Sequence, residues 1–205
     1  MKYYVRTTSE RTLDESFSQI EYTLLVDVEH KNGVTFAKWF KEYFCKEDCV
    51  ILEDDIILCK DFKSRIEEVI SKHPNDVINF FEDIWKYLPT MKRLYFHHCQ
   101  CLYFPKEISQ KIVDIIEKYN ISSYYNAELL RLCFEKMNYE HLLYRPCLVQ
   151  HIGNKSLVGH NNFKLRRGTF YFIDYLDKLN LTYDDAKYHV SELKNLMEEQ
   201  LSKYD

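Results

Sequence analysis

Glycine and proline are scarce, with 4 of each in 205 residues. Few positions therefore punctuate loops, and the 46% hydrophobic content speaks against disorder. No apolar stretch approaches the ~18 residues that span a bilayer. The chain opens on strand-like Tyr3, Tyr4 and Val5 rather than a leader, so a cytoplasmic location is expected. Positive charge is not in excess. The formal net charge of -4 and the pI near 6.1 argue against general affinity for nucleic acid and leave only a local basic patch at Lys164, Arg166 and Arg167. The seven cysteines are odd in number and lie among apolar neighbours, which suits free thiols in a reducing compartment. Cys45 and Cys49, or His97 to Cys101, do not repeat in the paired spacing that structural zinc needs, and strand alternation would turn Cys99 and Cys101 to one face.

Rings are abundant instead: 17 Tyr and 13 Phe make an aromatic core for one compact domain. The periodicity predicts a strand over 3–6, a helix over 12–19, a buried parallel strand within 22–30 and a helix from Val34 to Phe44. A strand read from the stretch 49–58, a helix capped by Asp61 and ended by His73-Pro74, and a strand over 76–81 follow. Further on come a strand over 93–104, a helix opened by Pro105, a helix over 124–138 and a strand over 142–149. An aromatic segment and a charged helix over 183–203 close the chain. Alternating strands and helices in the first 80 residues imply right-handed βαβ units and a mainly parallel α/β sheet. The pattern stops near residue 160, so the expected division is 1–160 for the α/β domain and 161–205 for a helical extension packed on it.

"CVILEDDIIL" (49–58) drives Glu53, Asp54 and Asp55 between two apolar runs. An isolated acidic triplet usually just ends a strand in solvent. Here the apolar flanks make solvation on all sides hard to arrange. In a parallel sheet ligands sit at the carboxyl ends of the strands, and a hard divalent cation on such carboxylates neutralises a diphosphate leaving group.

The same stretch resembles the Asp-x-Asp strand end of GT-A glycosyltransferases, in particular short bacterial and phage members carrying "LEDD". "GVTFAKWF" (33–40), "CQCLYFPKEISQKIVDII" (99–116) and "RPCLVQHIGNKSLVGH" (145–160) are similar to the family's flanking segments. The triplet followed about 90 residues later by "PCLVQHIG" is more specific than either alone. The resemblance implies a GT-A (Rossmann-like) fold over residues 1–160 and transfer of a sugar from a nucleotide-diphosphate sugar, a UDP-sugar by default, to a glycan, protein or modified-base hydroxyl. It also implies Mn2+ or Mg2+ on Asp55, with Asp54 or Glu53 on the ribose or the metal shell and His151 as a late metal ligand. An imidazole suits that shell, and Gly153 would let the backbone approach a phosphate. Arg6, Thr7 and Asp27 fall where the base and ribose are held, although each could equally serve as a cap or ion-pair partner. Lys155, with Ser156, His160 and the basic residues beyond, could close over the diphosphate or be a solvated loop. An inverting transfer needs a general base, for which Glu128 is the candidate, its alternative being a helix N-terminal acid favoured by the macrodipole.

Two other classes compete. A non-catalytic module on the same frame would not need the intact acidic triplet. A metal-dependent nuclease or phosphotransferase would want more carboxylates, of which Asp27, Glu29 and Asp83 are the obvious additions. A phage enzyme glycosylating a modified DNA base is a further alternative, with residues 164–167 as its first contact.

Overall fold

The computed structural model describes residues 1–8, 11–28, 31–82, 87–153, 169 and 171–204. In chain order the elements are β1 (Lys2–Thr7), β2 (Thr23–Val26), α1 (Asn32–Trp39), β3 (Cys49–Glu53), β4 (Ile56–Leu58), α2 (Phe62–Lys72), β5 (Ile78–Asn79), β6 (Met91–Arg93) and β7 (Cys101–Phe104). They continue with α3 (Lys106–Tyr119), α4 (Asn126–Met137), β8 (His141–Leu143), β9 (Val149–His151), α5 (Ile173–Leu179) and α6 (Val190–Leu201). Among the described residues seven strands form one mixed sheet in the order β2-β1-β3-β7-β5-β8-β6. β6 and β7 run against the other five, so most of the sheet is parallel. β4 and β9 form a separate antiparallel ribbon.

Strand alternation splits the core in two. Val50 and Leu52 of β3 face a cluster completed by Phe62 and Ile66 of α2, and by Tyr175 and Leu176 of α5 and Leu193 and Met197 of α6. Cys49 and Ile51 face the other side, with Phe36 and Ala37 of α1, Ile112 of α3 and Phe134 of α4. The result is a three-layer α/β/α stack, and the C-terminal helices share the first cluster. α1 runs on as a π-helical turn (Phe40–Phe44), and the rings of Phe36, Phe40 and Phe44 meet edge to face, Phe40 and Phe44 at 5.1 Å. Burying one such ring fully contributes ~2–3 kcal/mol, so this turn is a main anchor of the second layer.

Several local expectations are corrected. The segment over 93–104 is not one strand: β6 ends at Arg93, and β7 begins at Cys101. Cys99 therefore lies in the second cluster and Cys101 in the first, on opposite faces rather than one. The strand over 142–149 is broken around Pro146 into β8 and β9, because proline has no N–H for the ladder. β2 is an edge strand with Leu24 and Val26 exposed, not a buried one. Residues 15–19 form a 3-10 turn capped by Asp14, in place of the helix over 12–19. Asp61 stands at the start of α2 in a left-handed conformation without a side-chain capping bond.

All seven cysteines are free and buried. His141 is buried in the second layer, its ring stacked on Phe134 and edge-on to Phe96. Burial first, and Arg93 second, push its pKa down to about 4, so it is a neutral core histidine.

Candidate functional site

β1, β2 and β3 are mutually parallel, and the register pairs Arg6 with Glu53 and Thr7 with Val26. The carboxyl ends of these strands thus bring Arg6, Thr7, Asp27 and the acidic triplet to one edge, where open α/β sheets bind ligands.

The three carboxylates have three different surroundings. Glu53 pairs with Arg6, whose buried guanidinium also lies 4.5 Å from the centre of the Phe36 ring. Burial raises the Glu53 carboxyl above its ordinary value, while Arg6 pulls it back and Asp55 pushes it further up. Asp54 is buried, and both of its oxygens are engaged. Oδ2 accepts from the Thr7 hydroxyl at 2.6 Å and the Thr8 N–H at 3.3 Å, and Oδ1 accepts from Arg11 at 2.8 Å. Asp54 and Thr7 therefore tie the chain leaving β1 to the end of β3.

Asp55 turns the other way. Its backbone carbonyl accepts from Ile152 N–H at 2.8 Å, continuing the β4–β9 ribbon by one step. That ribbon places His151 Nε2 3.2 Å from Asp55 Oδ2, and Arg11 pairs with the same oxygen. The other oxygen, Oδ1, is buried and accepts no hydrogen bond. Burial alone would raise the Asp55 carboxyl; His151 first and Arg11 second outweigh it and hold the group below the usual carboxylate range. The side chains are only partly covered, 15% exposed for Asp55 and for His151. Phe81 backs the imidazole at 6.2 Å between centroids, and the ring of His98 also meets Phe81 edge-on.

Gly153 closes this corner. A Cβ built there would lie 2.4 Å from Asp55 Oδ2 and 3.0 Å from His151 Nε2. Glycine is needed because the backbone packs against the acid–imidazole pair.

The fit of a divalent ion follows from these atoms. Among the described residues no group of three or more His, Cys, Asp or Glu is arranged to hold a metal. Asp55 and His151 would together supply two ligands. Mg2+ and its relatives commonly use one or two protein ligands and complete an octahedron at ~2.1 Å with water and substrate phosphates, which places adjacent ligand atoms ~3 Å apart. The 3.2 Å separation, the unbonded Oδ1 and the side-chain-free corner at Gly153 fit such an ion.

The remaining candidates make other contacts. Asp27 Oδ1 accepts from Lys31 N–H at 3.3 Å and the Thr35 hydroxyl at 3.1 Å, so it steadies the start of α1. Glu128 is on the first turn of α4, 45% exposed, 3.7 Å from Arg131 and without a contact to the acidic corner. Lys155, Ser156, His160, Lys164, Arg166, Arg167, Glu29 and Asp83 lie outside the described residues. Sequence reasoning missed Arg11. It stands 43 positions from Asp54 in an irregular stretch with no periodic pattern, so only the tertiary fold shows that it bridges two of the three carboxylates.

These features define a mixed α/β domain with a Rossmann-like parallel half and an acidic, arginine-bridged corner at its carboxyl edge. No protein-family model and no curated protein matches the chain. Among solved structures, the crystal structure of A197 from STIV is similar, with a TM-score of 0.51 over 75% of this chain and 87% of that one at 11% identity. That likeness is one of fold. Among the described residues no helix is long and apolar enough to cross a membrane.

Proposed function

We propose that this chain is a metal-dependent glycosyltransferase of the GT-A type, moving a sugar from a nucleotide-diphosphate sugar to a hydroxyl acceptor. The observation that carries the reading is the Asp55–His151 pair with Gly153 against it, at the edge of the sheet where nucleotides bind. Asp55 and His151 would hold Mn2+ or Mg2+, which when bound would neutralise the charge of a departing diphosphate. Asp54 and Thr7 keep the end of β1 in place beside that corner, and the half-buried Arg11 puts a fixed positive charge next to it. Glu128, exposed on the first turn of α4, is the proposed base for the acceptor hydroxyl. A UDP-sugar is the first donor to try, and the net charge of -4 favours a glycan or protein hydroxyl over a base in DNA.

The test is donor hydrolysis across a panel of nucleotide sugars with and without Mn2+, read as released nucleoside diphosphate. Release that requires Mn2+ and disappears in Asp55→Ala supports the assignment. No release from any donor, with no Mn2+-dependent rise in melting temperature, removes it.

One observation favours a second reading. Arg11 already pairs with both Asp54 and Asp55, so the chain itself offsets part of the corner's negative charge. A non-catalytic nucleotide-binding module on the same frame would need no more than this. It would bind a nucleotide without Mn2+ and release nothing from any donor.

A further inference from the structure

We infer that Arg11 makes divalent-cation binding and nucleoside-diphosphate binding depend on each other, an inference that rests on the glycosyl-transfer reading of the same corner. One nitrogen of its guanidinium, Nη1, reaches Asp54 Oδ1 at 2.8 Å and also pairs with Asp55 Oδ2. That second oxygen is the one His151 approaches at 3.2 Å. Arg11 and a cation seated between Asp55 and His151 therefore compete for one atom, and two positive charges would stand within ~4 Å of each other.

A cation alone thus meets a charge already in place and binds weakly. A nucleoside diphosphate changes the balance, because its phosphate oxygens accept the planar guanidinium fork as readily as a carboxylate does. Arg11 is 21% exposed at its side chain, and its bond to Asp54 holds it at the corner while it releases Asp55. Arg11 in this scheme is a positioning residue: it carries the diphosphate to the cation and keeps the acid pair from taking up a cation without one. By linkage, each ligand then tightens the other.

A residue that merely supports the fold would, when replaced, weaken every ligand. Coupling predicts the opposite sign for the cation. Binding of Mn2+ alone, UDP alone and both together is measured by calorimetry, with free Mn2+ checked by electron paramagnetic resonance, for the native chain, Arg11→Gln and Arg11→Lys. Arg11→Gln is expected to bind Mn2+ alone at least tenfold more tightly than the native chain and UDP alone at least tenfold more weakly. Arg11→Lys keeps the charge and loses the fork, so its Mn2+ affinity stays within threefold of native while UDP binding falls. It also serves if the glutamine variant does not fold. Unchanged or weaker Mn2+ binding in Arg11→Gln, or full UDP affinity in Arg11→Lys, overturns the inference. A native chain that binds neither Mn2+ nor UDP in any combination defeats the functional reading itself. Coupled binding in the native chain that survives both substitutions defeats only the role of Arg11.

Discussion

His151 faces Ile56 across the β4–β9 ribbon, one residue beyond Asp55, and this register is what sets its Nε2 3.2 Å from Asp55 Oδ2. Two glycines test how much depends on that corner. At Gly153 an added methyl would lie 2.4 Å from Asp55 Oδ2, and at Gly33 it would lie 1.8 Å from the Tyr124 backbone carbonyl. Gly153→Ala is expected to displace the carboxylate and lower Mn2+ affinity at least tenfold while the chain stays folded. Gly33→Ala forces backbone apart, is expected to cost about 1–3 kcal/mol by denaturant titration, and leaves Mn2+ affinity of the folded protein unchanged. Equal ligand affinities in the two variants would remove Gly153 from the site.

Acid sensitivity should come in two windows. His141 takes up a proton near 6.5 when unfolded and near 4 when folded, so between those values the unfolded chain holds more protons and stability falls as pH drops. The loss should be of the order of ~3 kcal/mol and is complete near pH 4. His141→Phe is expected to flatten that limb in urea titrations at pH 7, 6, 5 and 4. Asp55 contributes below it: its depressed carboxyl stabilises the fold above the ordinary carboxylate pKa and loses that contribution as pH falls through the lowered one. Asp55→Asn should therefore be less stable than the native chain at pH 7, and the gap should begin to narrow only once pH falls below the ordinary carboxylate value.

Asp27 separates a structural from a recognition role. Loss of its bonds to Lys31 N–H and the Thr35 hydroxyl in Asp27→Ala is expected to cost about 1 kcal/mol, as for a helix N-terminal cap. Asp27→Asn keeps an acceptor and should recover most of that. If the asparagine variant also changes the preference among UDP, GDP and ADP in a binding assay, Asp27 touches the base as well.

Glu128→Gln removes a partly exposed pair with Arg131 and should shift stability by under ~0.5 kcal/mol. Acting as a general base, it should lower transfer to acceptor about 100-fold and leave donor binding unchanged. A transfer rate within twofold of native assigns Glu128 to the helix terminus alone.

Much of the frame was legible from pattern. Phe62, Ile66, Val69 and Ile70 recur at helical spacing and form the buried face of α2, and β3 ends at Glu53 as the apolar run suggested. The acidic triplet and His151 were legible as types in sequence, and the fold brings Asp55 and His151 together. What alternation could not give was which carboxylate does what, because Arg6, Thr7 and Arg11 approach from another part of the chain. Nor could it show that β2 lies at an edge, since Thr23–Val26 is as aliphatic as a central strand and only strand order exposes it. The break at Pro146 was hidden within an apolar run, which reads as continuous strand until the ladder is drawn.

The seven interior thiols also supply a clock. With none at the surface, an alkylating reagent can mark a cysteine only when the region around it opens, so the rate of labelling reports local opening. Cys101 on β7 pairs with Leu52, one residue before the acidic triplet, whereas Cys49 lies at the far end of β3 and Cys133 on α4 in the outer layer. Mass spectrometry of the labelled chain would then show which layer a nucleotide or a cation quiets, without any chemistry having to take place.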